Sequence, residues 1–271
     1  MSHIEKALEK AAKERSNTSE GKAPANDSAE ALNPVYTETR SVVADNALLA
    51  QNRVVTLNID PVILEQYNIL KTQVLQRTRK DSLNTIMITS ARPGEGKTLT
   101  AVNLAISLAR EINQTVLLVD ADFRPPSLHK YFGLPVEPGL TDYLFRNQAL
   151  PGLLVNPGIA KLTVLPAGKP ASDSVEHLGS PRMKALVEEM KTRYPDRYII
   201  FDCSPLLTHA DPLIFAQYVD AIILVVEAGT TSEHDIREAA QLLSGRNVIG
   251  TVLNKTEMHG KAYQSAYSRT G

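Results

Sequence analysis

Apolar residues in this chain fall into short unbroken runs, separated by stretches with helical spacing. Six runs have the length and β-branched content of strands: 85–90, 115–120, 162–165, 197–202, 220–226 and 247–253. None alternates apolar with polar, so the expected strands are covered on both faces. Helical periodicity predicts helices at 97–111, 180–193, 211–218 and 232–243, with short helical turns near 127–131 and 139–146. Ahead of the first run, Val62, Ile63, Leu64, Tyr67, Leu70, Val74 and Leu75 fit one helix. Strand alternating with helix predicts a doubly wound α/β domain: a mostly parallel sheet, right-handed crossovers and helices on both faces.

This pattern divides the chain in three. Residues 57–257 form the expected domain, and residues 1–56 precede it as a flexible N-terminal region. Within that region Ile4, Leu8 and Ala11 mark one side of a short amphipathic helix, marginal alone in water. It reads either as a fraying, solvated helix or as a docking helix for a partner. Residues 17–56 are rich in Ser, Asn, Ala, Glu and Thr and read as linker. Residues 258–271 form a mobile tail containing Tyr263 and Tyr267.

Chemistry first appears where the 85–90 run meets the next helix, in Ser90-Ala91-Arg92-Pro93-Gly94-Glu95-Gly96-Lys97-Thr98. A strand, a glycine-containing turn and a helix opening on Lys-Thr make a phosphate-binding loop. Backbone N–H groups of the turn and of the new helix converge on one spot, which suits an anion. Gly94 and Gly96 let the backbone approach oxygen atoms where a Cβ would clash. Lys97 brings charge to the outer phosphates, and the Thr98 hydroxyl suits Mg²⁺. The full pattern has glycine where this chain has Ala91, so the match lies in the Gly-Lys-Thr end. The plain alternative is an ordinary strand–turn–helix.

Carboxylates add to this. The run Val116-Leu117-Leu118-Val119 ends in Asp120, followed by Asp122 and Arg124; Tyr198-Ile199-Ile200-Phe201 ends in Asp202. Parallel strands share one carboxyl edge, where ligands bind, so Asp120, Asp202 and the loop are expected to converge. A cation must intervene between carboxylates and a triphosphate, and Mg²⁺ takes such oxygen ligands. Thr98 and Asp202 are the natural pair for it. Asp120 and Asp122 are then spare acids able to orient or deprotonate an attacking hydroxyl. The alternative is that either one pairs with Arg124 or caps the next turn.

Composition narrows the classes. The 271 residues carry a net charge of -1, which gives no case for nucleic acid as a partner. One cysteine, Cys203, allows no internal disulfide and fits a reducing cytosol. The six histidines show no metal-ligand spacing. Apolar runs such as 221–226 are too short to cross a bilayer, and the mixed-charge N-terminus lacks a signal-peptide core. A cytoplasmic protein is expected, reaching the inner face of the membrane only through a partner or a surface helix.

With these residues assembled, the chain resembles the bacterial tyrosine kinase (BY-kinase) family, within the ParA/MinD-type Walker ATPases. Residues 91–98 match Walker A, 116–125 match Walker A′ with its Asp-x-Asp-x-Arg-Pro element, and 198–205 match Walker B. The resemblance runs from about residue 60 to 257. Residues 2–11 also resemble the start of free-standing autokinases associated with exopolysaccharide and exosortase gene clusters. The resemblance implies an Mg²⁺- and ATP-dependent tyrosine autokinase regulating extracellular polysaccharide synthesis, chain length or export. It implies nucleotide contacts from Gly94, Glu95, Gly96, Lys97, Thr98, Leu99 and Arg124, with Asn254 reading the adenine. It implies catalytic roles for Lys97, Asp120, Asp122 and Asp202, and metal contacts from Thr98, Asp120 and Asp202. Tyr263 and Tyr267 are the implied phosphoacceptors, and a membrane-bound chain-length protein is the implied partner, with homo-oligomers also in view. Arg92 and Pro93 stand where partitioning ATPases carry lysine and glycine, which argues against a ParA/MinD-like positioning ATPase. The family's ring-forming Glu-x-x-Arg-x-x-Arg helix reads Glu65, Asn68 and Lys71 here, which lack the bidentate arginine fork. That departure keeps a second class open: an ATP-state-dependent interaction module with little or no tyrosine transfer.

Overall fold

Strands that are apolar on both sides need cover on both sides, and the fold provides it for five of the six; the expectation fails at 248–254, an edge strand with no buried residue. The structure, a computed structural model, describes residues 39–55, 59–193 and 196–257. In chain order its elements are β1 (Arg40–Ser41), α1 (Asn46–Gln51), α2 (Pro61–Thr78), β2 (Thr85–Ser90), α3 (Lys97–Ala109), β3 (Thr115–Asp120), α4 (Leu128–Phe132) and α5 (Leu140–Arg146). A 3₁₀ turn at Leu150–Leu153 leads to β4 (Val155–Asn156), β5 (Leu162–Leu165), α6 (Ser174–Leu178), α7 (Pro181–Arg193) and β6 (Arg197–Asp202). The last elements are α8 (Asp211–Phe215), β7 (Ala221–Glu227), α9 (Glu233–Leu242) and β8 (Val248–Asn254).

Among the described residues the sheet has the order β1-β4-β5-β3-β6-β2-β7-β8. The six longer strands run parallel, while β4 pairs antiparallel with β5 and carries β1 with it. Successive strand residues serve opposite cores. Ile86, Ile88, Val116, Leu118 and Ile200 pack with Val74 and Leu75 of α2 and Ala101, Leu104, Ala105 and Leu108 of α3. Met87, Leu117, Val119, Ile199 and Phe201 pack with Met183, Leu186 and Val187 of α7 and with Phe215 and Ala239. This is the expected α/β architecture, with the six strands displaced by at most one residue from their predicted bounds.

Two ties fix α2 and the sheet. Asp60 caps α2, its Oδ1 accepting from the Val62 amide at 2.9 Å. At the far end Thr78 Oγ1 and the Tyr198 hydroxyl lie 2.8 Å apart in the core. Along α2, Lys71 pairs with Glu111 at 2.7 Å and Asn68 Nδ2 donates to Glu65 at 3.3 Å. Both departures from the ring motif are thus engaged by their own chain.

The expectation of a linker over 17–56 does not hold for residues 40–55. Arg40–Ser41 adds an edge strand, Asp45 caps α1, and Ala44, Leu49, Val54 and Val55 are buried. The reason is a polar clamp that apolar periodicity cannot display. Asn103, on α3 and 1% exposed, accepts from the Val55 amide at 2.8 Å and donates to the Arg53 carbonyl at 3.1 Å. Arg110 adds a bond to the Val55 carbonyl at 3.1 Å. Both backbone groups held by Asn103 are then satisfied away from bulk water. The predicted N-terminal helix, residues 17–38 of the linker and the tail from 258 lie outside the described residues.

Asn103→Ala is expected to lower stability by about 2 kcal/mol, because two backbone groups lose their partners at once. Hydrogen exchange should speed up at the Val55 amide well before it does in β2. Unchanged exchange there would refute the clamp.

Candidate active site

The register of β3 and β6 sets the site. Asp120 and Asp202 are direct partners on neighbouring parallel strands, each the last residue of its strand. On the other side of β6 lies β2, whose chain turns at 91–96 into α3. Gly94 at φ +85° and Gly96 at φ +92° take the left-handed conformation this turn needs. Gly96 also leaves no room for a side chain: a Cβ there would lie 2.1 Å from Asn254 Nδ2. Asn254 in turn donates to the Glu95 carbonyl at 2.8 Å, so the end of β8 rests on the loop. The Glu95 carboxylate faces inward, accepting from the Arg92 amide at 2.9 Å and from the Thr231 hydroxyl.

Lys97 opens α3 and reaches across to the acids. Its ammonium meets Asp122 Oδ2 at 2.7 Å, Thr98 Oγ1 at 3.3 Å and Asp202 Oδ1 at 3.7 Å. Burial pulls the pKa of this ammonium down, but Asp202, Asp122 and Asp120 together outweigh it and leave it raised. Asp202 is fully buried; the Lys97 ammonium lies 3.7 Å from its Oδ1, and the Thr98 hydroxyl also acts on it. Burial raises its carboxyl to about 6, against the opposing Lys97 charge and Thr98 hydroxyl. Asp120 is also raised well above the ordinary carboxylate range, by burial first and then by Asp202 and Asp122.

The two Walker A′ acids have different surroundings. Asp120 accepts the Asp122 amide on one oxygen and the Leu128 amide on the other, both at 3.1 Å. It therefore shapes the turn into α4 while sitting beside the site. Asp122 accepts the Arg124 amide at 3.1 Å and gives its other oxygen to Lys97. Arg124 itself points its guanidinium at Ser174 Oγ (2.7 Å), the Ser172 carbonyl and Asp211 (3.9 Å). It thus anchors α6 and α8 to the Walker A′ turn. A further hydroxyl, outside the three motifs, joins the site: Ser127 Oγ lies 3.3 Å from Thr98 Oγ1. Its only sequence signal is a hydroxyl seven residues after Asp120.

The donor set suits a hard cation. Thr98 and Ser127 offer hydroxyls and Asp202 offers a buried carboxylate, which is oxygen chemistry of the kind Mg²⁺ prefers. Fold and site together define a P-loop ATPase-like protein.

Comparison with known proteins carries this further. Residues 83–245 match the AAA domain model AAA_31. The chain is 33% identical over 192 residues to the tyrosine-protein kinase YwqD of Bacillus subtilis, covering 70% of this chain and 80% of that one. It is 35% identical over 179 residues to the succinoglycan biosynthesis transport protein ExoP of Rhizobium meliloti, covering 64% of this chain but 22% of that larger protein. Among solved structures, the VpsO kinase domain superposes with a TM-score of 0.65 at 33% identity, covering 72% of this chain and 97% of that domain. The chain belongs to the bacterial tyrosine-protein kinase family.

Lys97→Met should destabilise the protein, since it leaves buried carboxylates without their counter-charge. The expected loss is about 3 kcal/mol at pH 8. A carboxyl whose folded-state pKa is raised weakens the fold as pH climbs through that value. Without Lys97 the Asp202 value rises further from about 6, so the deficit should shrink on going to pH 5. Thermal unfolding at both pH values checks this; an equal deficit at each would show that Lys97 contributes packing, not charge.

Proposed function

We propose that the chain is an Mg²⁺- and ATP-dependent protein-tyrosine autokinase that regulates the synthesis, chain length or export of an extracellular polysaccharide. The observation that carries this reading is Lys97 held among Asp122, Thr98 and Asp202 where the loop meets α3. Membership of the tyrosine kinase family supports the acceptor class, and the likeness to a succinoglycan biosynthesis transport protein supports the polysaccharide setting.

In this reading each residue has one task. Lys97 exchanges its carboxylate partners for phosphate oxygens of ATP. Thr98 and Asp202 hold Mg²⁺, which when bound offsets the charge on the transferring phosphoryl group. Asp122 keeps Lys97 in position. Asp120, made more basic by burial, takes the proton of the attacking tyrosine hydroxyl. The backbone of Gly94 to Leu99 lines the phosphates, and Asn254 reads the base. Arg124 supports this site from its Ser174 and Asp211 contacts. Tyr263 and Tyr267 of the tail are the acceptors. A membrane-bound chain-length protein is the partner; no helix among the described residues is long and apolar enough to cross a membrane.

One observation favours the runner-up, an ATP-dependent interaction module. Lys71 and Asn68 are spent on contacts within their own chain rather than offered to a neighbour. Incubation with γ-labelled ATP separates the two. Label on Tyr263 or Tyr267 that is absent from Lys97→Met under conditions where that variant is folded supports the kinase; ATP binding without labelled tyrosine supports the module.

Two variants test the division of labour. Asp120→Asn should lower kcat about a hundredfold with little change in ATP affinity. Asp202→Asn should instead raise the Mg²⁺ concentration needed for half-maximal rate. In the wild type that requirement should also rise as pH falls below about 6, where Mg²⁺ must displace the Asp202 proton. Mg²⁺ titrations that coincide for both variants and the wild type would sink the metal assignment.

A further inference from the structure

Among the described residues the sheet ends differently on its two sides. At one edge β1 contributes only Arg40 and Ser41. At the other, β8 runs for seven residues, Val248–Asn254, and not one of them is buried. Its sequence, Val-Ile-Gly-Thr-Val-Leu-Asn, holds no charge and no proline. Charge and proline are the usual means by which a sheet edge turns away a further strand. A third means, an irregularity, is present at the start of β8: the register with β7 shifts between Ile222 and Ile223, which leaves Ile249 out of the pairing. From Gly250 to Asn254 the pairing is regular.

The open side of β8 carries unpaired backbone groups. The Asn254 carbonyl accepts from the Ala228 amide at 2.9 Å, so Asn254 is turned toward β7. Backbone groups alternate in direction along a strand. Gly250 and Val252 therefore also bond to β7, while Thr251 and Leu253 aim their N–H and C=O groups outward.

Apolar side chains border this edge on both faces. Leu253, paired with Val226, is 59% exposed, and Val248 and Leu242 of α9 are exposed as well. Toward α2 a groove is lined by Leu70, Val74, Ile249 and Val252. An unpaired backbone edge between two apolar margins is a template for another strand.

The strand that fits is β8 of a second copy. An incoming strand with charged side chains would have to desolvate them against these margins, and β8 is itself uncharged. A two-fold axis brings identical patches together and pairs β8 with β8 antiparallel. The irregularity at Ile249 selects the register, because the regular stretch 250–254 is centred on Val252. With the axis at Val252, that residue faces its own copy as a non-hydrogen-bonded pair. Thr251 then exchanges both backbone bonds with Leu253 of the second copy. These are the residues whose groups point outward, so register and backbone direction agree. The face carrying Asn68 and Lys71, by contrast, is already engaged within its own chain.

We propose that the chain forms a two-fold dimer by antiparallel β8–β8 pairing centred on Val252, which joins two eight-stranded sheets into one. The inference is independent of the kinase reading, since it turns on the sheet edge whatever the phosphate site does.

Sedimentation of the full chain over a wide range of concentration tests it. The wild type should pass from monomer to dimer as concentration rises. Leu253→Lys puts a charge into the interface and should raise the dimer dissociation constant about tenfold or more. Thr251→Pro removes an outward amide and no bond to β7, so the dimer should again be lost while thermal unfolding stays close to that of the wild type. Val252→Cys gives a positive readout. Across the axis the two Cα atoms would stand about 4.5 Å apart, within disulfide reach. Mild oxidation should then link two chains through Cys introduced at 252, and buried Cys203 offers no substitute. A chain that stays monomeric at every concentration would overturn the inference and leave the edge to residues 258–271 or to another protein. An assembly that survives Leu253→Lys and Thr251→Pro but dissolves in Lys71→Ala would overturn it as well, because the contact would then lie on α2. Tyrosine labelling is measured separately, so the dimer and the kinase reading can each fall alone.

Discussion

One buried ammonium holds this site together. Asp120 and Asp202 end adjacent strands with essentially no exposure, and Asp122 follows two residues later. Three carboxylates so close, in so little water, repel one another strongly and lack solvation. Lys97 is the counter-charge that the described residues supply, and it can do so only because the loop before it turns tightly enough to aim α3 at the acids. The left-handed glycines, the β3–β6–β2 order and the closeness of Asn254 to Gly96 are all conditions for that one placement. In the proposed kinase reading, a phosphate group at the loop would compete with the acids for Lys97.

The loop is gripped from both flanks by different chemistry. On the β7–β8 side, Thr231 and Asn254 hold Glu95 by its side chain and its carbonyl, and Arg92 pairs with Asp235 at 2.7 Å. On the β3 side the contact is hydroxyl to hydroxyl, Thr98 with Ser127, backed by the Asp120 bonds that form the turn. The first flank is a set of charged and amide bonds, and the second presents hydroxyl oxygens to the loop.

What was legible in the sequence follows from which forces leave a periodic trace. Strands buried on both faces must be continuously apolar, so 85–90 and 115–120 could be read to the residue, and the acids ending the second run and 197–202 stood out against them. Lys97 and Thr98 were legible because a phosphate loop constrains consecutive positions. Residues 40–55 were not, because their cohesion comes from Asn103, a polar residue within an apolar helix, acting on backbone atoms that are the same in every sequence. Arg124 was readable as part of a motif, but its contacts with Ser172, Ser174 and Asp211 join segments some 50 to 90 residues apart, and spacing carries no record of them.

The reversed edge strand has a geometric consequence for how the domain is tethered. Because β1 runs against the six long strands, Arg40 enters the sheet at the same edge from which β8 leaves it at Asn254. These two points stand at opposite ends of the strand order, seven inter-strand steps apart, or roughly 34 Å at the usual spacing. The first and last strand positions of the described domain thus share one rim, and the phosphate loop, which follows β2, lies on that rim between them.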